Sequence, residues 1–151
     1  MDNISVVISE HPQHKEITVL TVKGFMDSTT APEFEKILKL ALGDKKFKLV
    51  VDLTQVDYIS SAGWGIFVSE IKRIRNEGGD LVLVGMNPDV MEVFLLLDFN
   101  TILKFFPDVE SAAKKGFEKR VPAVKKPAFS LWRKRVKKPL VQSEVKSIDQ
   151  A

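Results

Sequence analysis

The 151-residue chain contains no cysteine, one tyrosine, two histidines and two tryptophans. The missing thiols exclude disulfides and every cysteine-ligated metal or iron–sulfur site, and they fit a reducing compartment. Two histidines are too few for a histidine-rich metal centre. They lie three residues apart, at His11 and His14, in a polar stretch read as a solvated turn. No Ser-His-Asp arrangement can be assembled, because nothing in the sequence brings either ring to a nucleophile. No apolar run approaches the roughly 20 residues that span a bilayer. Met1-Asp2-Asn3-Ile4 carries no basic stretch followed by an apolar one, so no secretory signal is visible and a cytoplasmic location is expected. Gly78-Gly79 and Gly63-Trp64-Gly65 lack the spacing and the lysine of a phosphate-binding loop.

What is present is the balance of a globular protein, 44% hydrophobic and 28% charged residues. The net charge of +3 is unevenly distributed. Residues 1–116 hold 13 Lys+Arg against 17 Asp+Glu, whereas residues 117–151 hold 10 against 3. An acidic body argues against nucleic-acid binding by the folded part. In the last 35 residues Pro122, Pro127 and Pro139 punctuate Lys and Arg clusters, and apolar periodicity is lost. That composition predicts a disordered basic tail over 117–151, attached to a domain over 1–116. Phe129, Leu131 and Trp132 interleave there with Arg133-Lys134-Arg135, a pattern suited to an anionic membrane, nucleic acid or an acidic partner, with a merely solvating tail as the plainer reading.

Within the body, Ile4–Ile8 and Glu16–Val22 are rich in β-branched residues and read as two strands joined by the His11–Lys15 turn. Asp27 or Ser28 is placed to cap a helix whose apolar positions Phe34, Ile37, Leu38, Ala41 and Leu42 recur at three and four, ending near Gly43. Lys48–Leu53 and Leu81–Val84 are short apolar runs of the kind buried in a parallel sheet. Between them Ile66, Phe67, Ile71 and Ile74 mark a helix that stops at Gly78-Gly79. Pro88 opens another helix, which carries the apolar Phe94–Leu97 and Phe99. A short strand over 101–106 and a final helix capped by Asp108 complete the order β-β-α-β-α-β-α-β-α. Such alternation predicts an α/β fold, and the opening β-β pair predicts a mixed rather than purely parallel sheet, covered by about four helices.

The stretch Asp57-Tyr58-Ile59-Ser60-Ser61-Ala62-Gly63-Trp64-Gly65 links a central strand to a helix at the strand's carboxyl end, where ligands and partners of α/β sheets gather. Ser60 or Ser61 occupies the position of a helix N-cap hydroxyl, and the small Ala62 and Gly63 leave the first turn uncovered. The positive helix end favours an anion there, including a phosphate on a serine. The plain alternative is a capping serine followed by small residues that pack closely. Asp27, Asp52 and Asp57 form a second candidate, a carboxylate cluster for a divalent ion in a nucleotide- or phosphoryl-binding α/β domain. Capping and turn formation account for the same three residues.

The segment Tyr58–Gly65 resembles the signature of the STAS family, the bacterial anti-sigma factor antagonists and related signalling domains. Val22-Lys23-Gly24-Phe25-Met26-Asp27 is similar to the family's strand-glycine lead into its first helix. Val82–Pro88 is similar to its strand-glycine turn, and Phe94–Phe99 to the apolar helix that follows. The resemblance spans about residues 4–115. It implies that Ser61 is a phosphoacceptor, modified by an anti-sigma factor that is also a serine kinase and restored by a metal-dependent phosphatase. It further implies a binding protein rather than an enzyme, with no cofactor. The chain departs from the pattern at Ser60, where many members carry Asp, at Ala62, often Ser or Thr, and at Trp64, usually Leu. The expected docking face comprises Asp27, Ser28, Ser60, Ser61, Gly63 and Met86, on loops that converge at one end of the sheet. A non-switching scaffold subunit of a signalling complex is the other role the resemblance allows.

Overall fold

The computed structural model describes residues 4–118. Five strands and four helices follow one another as β1 (Ile4–Glu10), β2 (Thr18–Met26), α1 (Ala31–Gly43), β3 (Lys48–Ile59), α2 (Ser61–Asn76), β4 (Asp80–Val84), α3 (Pro88–Leu96), β5 (Lys104–Phe106) and α4 (Val109–Lys115), with a 3-10 turn over Phe99–Thr101. The strands lie side by side in chain order, β1-β2-β3-β4-β5. β1 is antiparallel to β2, and the other pairings are parallel. The sheet is therefore mixed, as the β-β opening predicts. Described residues include no helix long and apolar enough to cross a membrane.

Alternation along the strands divides the core between two faces. Leu20, Val22, Leu49, Val51, Leu53, Leu81 and Leu83 point to one side, where α1, α2 and α3 contribute Phe34, Leu38, Phe67, Ile74 and Phe94. Ile17, Val19, Val50, Val82 and Val84 point to the other and are covered by Ala112 and Ala113 of α4. Every residue of β4 is buried, which is why its sequence is continuously apolar after Asp80.

Several readings change, β2 among them: it runs from Thr18 through Gly24 to Met26 rather than over Glu16–Val22. β3 runs on past Leu53 to Ile59, because β2 offers a matching edge through two register shifts that bring Phe25 opposite Tyr58 and Met26 opposite Ile59. The last strand is limited to Lys104–Phe106, the residues before it being drawn into the 3-10 turn. α1 starts at Ala31 with Thr30 at its N-cap position, so neither Asp27 nor Ser28 is the cap residue of that helix. His11 is not in a solvated turn: it is 1% exposed. Its Nδ1 accepts hydrogen bonds from the backbone N–H groups of Gln13 and His14, each at 3.1 Å, so the ring closes its own turn. Its Nε2 lies 3.3 Å from Glu110 of α4. The basic-tail expectation falls, from residue 119 onward, outside the described residues.

Candidate functional site

Three turns meet at the carboxyl ends of β2, β3 and β4. The first is Asp27–Thr30. The Asp27 carboxylate accepts from the backbone N–H of Thr29 (2.9 Å) and of Thr30 (3.0 Å). The Thr30 hydroxyl accepts from the Asp27 N–H and donates to the Phe25 carbonyl at 2.7 Å. Asp27 thus closes the turn just before α1, three residues ahead of the N-cap Thr30. The amides of Thr30 and then Thr29 hold its carboxyl below the ordinary aspartate range, so it is an anion at neutral pH.

That shift has a testable sign. A carboxyl depressed in the folded state contributes stability above its unfolded pKa and loses that contribution as pH falls through the folded value. Asp27→Asn keeps an oxygen acceptor but cannot titrate. Its urea midpoint is expected below wild type at pH 7, with the gap closing below about pH 4. Asp108, held down by the Ser111 amide and hydroxyl, adds an acid-labile contribution of the same sign in both proteins. A gap that stays constant from pH 7 to pH 3 contradicts the assignment to Asp27.

The second turn is the junction of β3 and α2. The Ser60 N–H donates to the Met26 carbonyl at 2.8 Å, tying this junction to the end of β2. Ser60 has extended backbone and is the N-cap, its hydroxyl accepting from the Gly63 N–H at a long 3.4 Å. The ambiguity between the two serines is thereby resolved, and Ser61 becomes the first residue of α2, exposed to solvent beside exposed Ala62. Gly63 is buried. A Cβ at this position would stand 2.8 Å from Ile59 Cγ2 and 3.0 Å from Met26 Cγ and Sδ, so only glycine lets the first turn of α2 lie this close to β2. Trp64 is core rather than an exposed anchor, at 2% exposure.

The third turn, Gly85-Met86-Asn87, follows β4. Gly85 has φ +73°, and a Cβ there would collide with Thr54 Oγ1 at 2.3 Å. Met86 is half-buried and packs on the helix-covered core. Asn87 joins two elements: its Oδ1 accepts from the Val90 N–H at 2.7 Å as N-cap of α3, and its Nδ2 donates to the Val56 carbonyl at 3.2 Å. β2 is thus joined to β3 by the Ser60–Met26 bond, and β3 to the turn after β4 by the Asn87–Val56 bond. Of the six residues named from sequence, Ser28 and Ser61 are exposed, Asp27, Ser60 and Met86 are half-buried, and Gly63 faces inward.

Sequence reasoning passed over Thr30 and Asn87, which hold the turns, and the cross-strand pair Phe25 and Tyr58, exposed at the same end of the sheet. Asn87-Pro88 was the legible signal among them, a cap residue followed by the proline favoured at the first helical position. The dense apolar stretch after it divides: Phe94 is fully buried, whereas Leu96 and Leu97 face solvent. The acidic cluster does not form. Asp52 directs an oxygen to the Thr54 hydroxyl (2.6 Å) and N–H (3.0 Å), and among the described residues no three His, Asp or Glu side chains converge as metal ligands.

The family model for the STAS domain matches residues 9–112. The anti-sigma-B factor antagonists of Listeria monocytogenes and Listeria innocua are each 32% identical over 103 residues, covering 68% of this chain and 88% of theirs. In fold, a crystal structure of an anti-sigma factor antagonist from Mycobacterium paratuberculosis superposes with a TM-score of 0.66 at 23% identity, covering 74% of this chain and 92% of that one.

Proposed function

The chain belongs to the STAS domain family, and from that premise we propose that it is an anti-sigma factor antagonist that works by partner switching at Ser61. Unphosphorylated, it binds an anti-sigma factor that is also a serine kinase, and so frees a sigma factor. Phosphorylated, it is released, and a metal-dependent phosphatase resets it. Its work is binding, with no catalysis or cofactor of its own, in the bacterial cytoplasm. The docking face comprises Asp27, Ser28, Ser60, Ser61 and Met86, with Gly63 beneath them allowing the close approach of α2.

The observation that carries this reading is the position of Ser61: exposed, first in α2, on a junction fastened to the neighbouring turns. A kinase can reach its hydroxyl without local unfolding. A phosphate there adds about −1.5 to −2 charges to a surface that already carries the ionised Asp27. Like charge brought against a partner surface matched to the neutral form costs several kcal/mol. The switch then needs no change of shape.

The test uses the anti-sigma kinase encoded in the same genome. Ser61→Asp is expected to weaken its binding by about 100-fold, equivalent to roughly 2.7 kcal/mol. Ser61→Ala is expected to bind like the unmodified protein and to stay bound when ATP is added. Intact-mass analysis of natively expressed protein should find one phosphate, mapped to Ser61. Equal binding by both variants and wild type would remove Ser61 as the control point and favour a scaffold role.

A further inference from the structure

The two edges of the sheet are unlike. β5, at one edge, is three residues long and includes Lys104, the short and charged kind of edge that resists strand addition. β1, at the other, is seven residues long, pairs with β2 in unbroken register from Ile4–Gly24 to Glu10–Thr18, and has no bulge. It contains no lysine, arginine or proline, and its single charge is Glu10 at the last position. Among the described residues no strand lies on its outer side. Two of the large exposed hydrophobics, Val7 (56%) and Ile8 (44%), sit on this one strand. Along the described strand, no proline, lysine, bulge or shortening defends this edge.

We propose that β1 pairs antiparallel with β1 of a second copy about a two-fold axis through Val7, joining the two sheets. The strand's own sequence favours this occupant over a foreign peptide. In that register Val7 faces Val7, Val6 faces Ile8, Ser5 faces Ser9 and Ile4 faces Glu10. The two carboxylates are thereby sent to opposite ends of the ladder, each against an isoleucine, so no like charges meet. Side chains keep their faces as well: Ile4, Val6 and Ile8 stay on the side where Ile4 and Val6 already pack on the helix-covered core. A closed two-fold pairing consumes both free edges and stops there. It also leaves the carboxyl-end turns of both copies outside the contact, so dimerisation does not depend on the partner-switching reading.

The full chain is the material for the test. Sedimentation equilibrium across the micromolar range should show a species of twice the chain mass. Ser5→Lys/Ser9→Lys sets lysine against lysine in two rows and should weaken the dimer about tenfold. Ser5→Lys/Ser9→Glu turns the same rows into opposite-charge pairs and should restore it. Since the chain has no cysteine, Val7→Cys alone supplies one thiol per copy, with the opposed Cα atoms about 5 Å apart, within disulfide reach. Mild oxidation should link it into a covalent dimer. Ser5→Cys should stay unlinked, because the two copies' residues 5 are then about 14 Å apart along the strands. Circular dichroism confirms that each variant is folded. A wild type that remains monomeric throughout overturns the proposal. So does a dimer indifferent to the Ser5/Ser9 charges and not trapped through Val7→Cys.

Discussion

Trp64→Ala is expected to lower the unfolding free energy by about 3–5 kcal/mol, the cost of removing a large aromatic side chain from a packed interior. The indole is the central piece of an aromatic group. It stacks on Phe99 with ring centroids 5.1 Å apart and planes at 25°, and it meets Phe94 at 5.7 Å and Phe67 at 5.9 Å. These rings come from α2, α3 and the 3-10 turn, so the cavity would open where three elements join, and α3 would lose its hold on the start of α2. Trp64→Phe should behave quite differently. The buried indole Nε1 has no hydrogen-bond partner among the described residues, and stranding a buried donor costs about 1–3 kcal/mol. Phenylalanine removes that donor and most of the ring stays, so its cost should fall below about 1.5 kcal/mol. Denaturant unfolding followed by circular dichroism separates the two. Equal losses would mean that the nitrogen is satisfied in solution.

Asp80→Ala is the second large effect, expected near 3 kcal/mol. Asp80 opens the wholly buried β4 and is itself buried. One oxygen accepts from the Leu81 N–H (2.9 Å) and from Arg75 Nε (3.0 Å), and the other lies 3.1 Å from Lys104 Nζ. The two cations reach further: Arg75 donates to the Ile102 carbonyl at 2.8 Å and Lys104 to the Gly116 carbonyl at 2.7 Å. One carboxylate therefore anchors α2, β5 and the residue after α4. Removing the anion from such a pair costs about 3–5 kcal/mol because a charge is left unpartnered. Lys104 is mostly shielded, but Arg75 is partly exposed and can turn to water, which places the expectation at the lower end. Asp80→Asn keeps an acceptor and should lose less. If Asp80→Ala shifts the urea midpoint no more than a surface substitution does, the cluster contributes no net stability.

Asp80 also shows where reading the sequence stopped. Leu81–Val84 is legible as a buried strand from its apolar run, and Gly78 as the stop after α2, whereas Gly24, also at positive φ, lies inside β2 rather than ending it. The Asp80 partners lie in other elements, more than 20 residues away for Lys104, and no local pattern marks them. His11 is a similar case. A histidine beside a proline in a polar turn reads as solvated, whereas its ring is buried, bonded within its own turn and 3.3 Å from Glu110 of the distant α4. The polar second half of β3, Thr54–Asp57, has little strand character of its own and owes its conformation to pairing with a bulged β2. At the site, local chemistry identified the β3–α2 junction and the strand-end turns, while the choice between Ser60 and Ser61 as cap depended on backbone geometry. Phe25 and Tyr58, four residues or fewer from the candidate acceptor or the first turn, alternate like core residues in sequence yet are exposed at the carboxyl end of the sheet.

Because the strands are ordered in space as they are in the chain, each pairing joins a strand to one already made. Chain closures stay short, and the sheet can grow from its amino-terminal edge as the polypeptide leaves the ribosome. The surface around Ser61 obeys a timetable in consequence. The Met26 tie exists once β3 has docked, but the Asn87 tie requires about 28 further residues, and the packing of Phe94 and Phe99 on Trp64 about 40. A partner that reads all three turns would therefore ignore nascent and truncated chains and engage only a domain whose synthesis has passed α3.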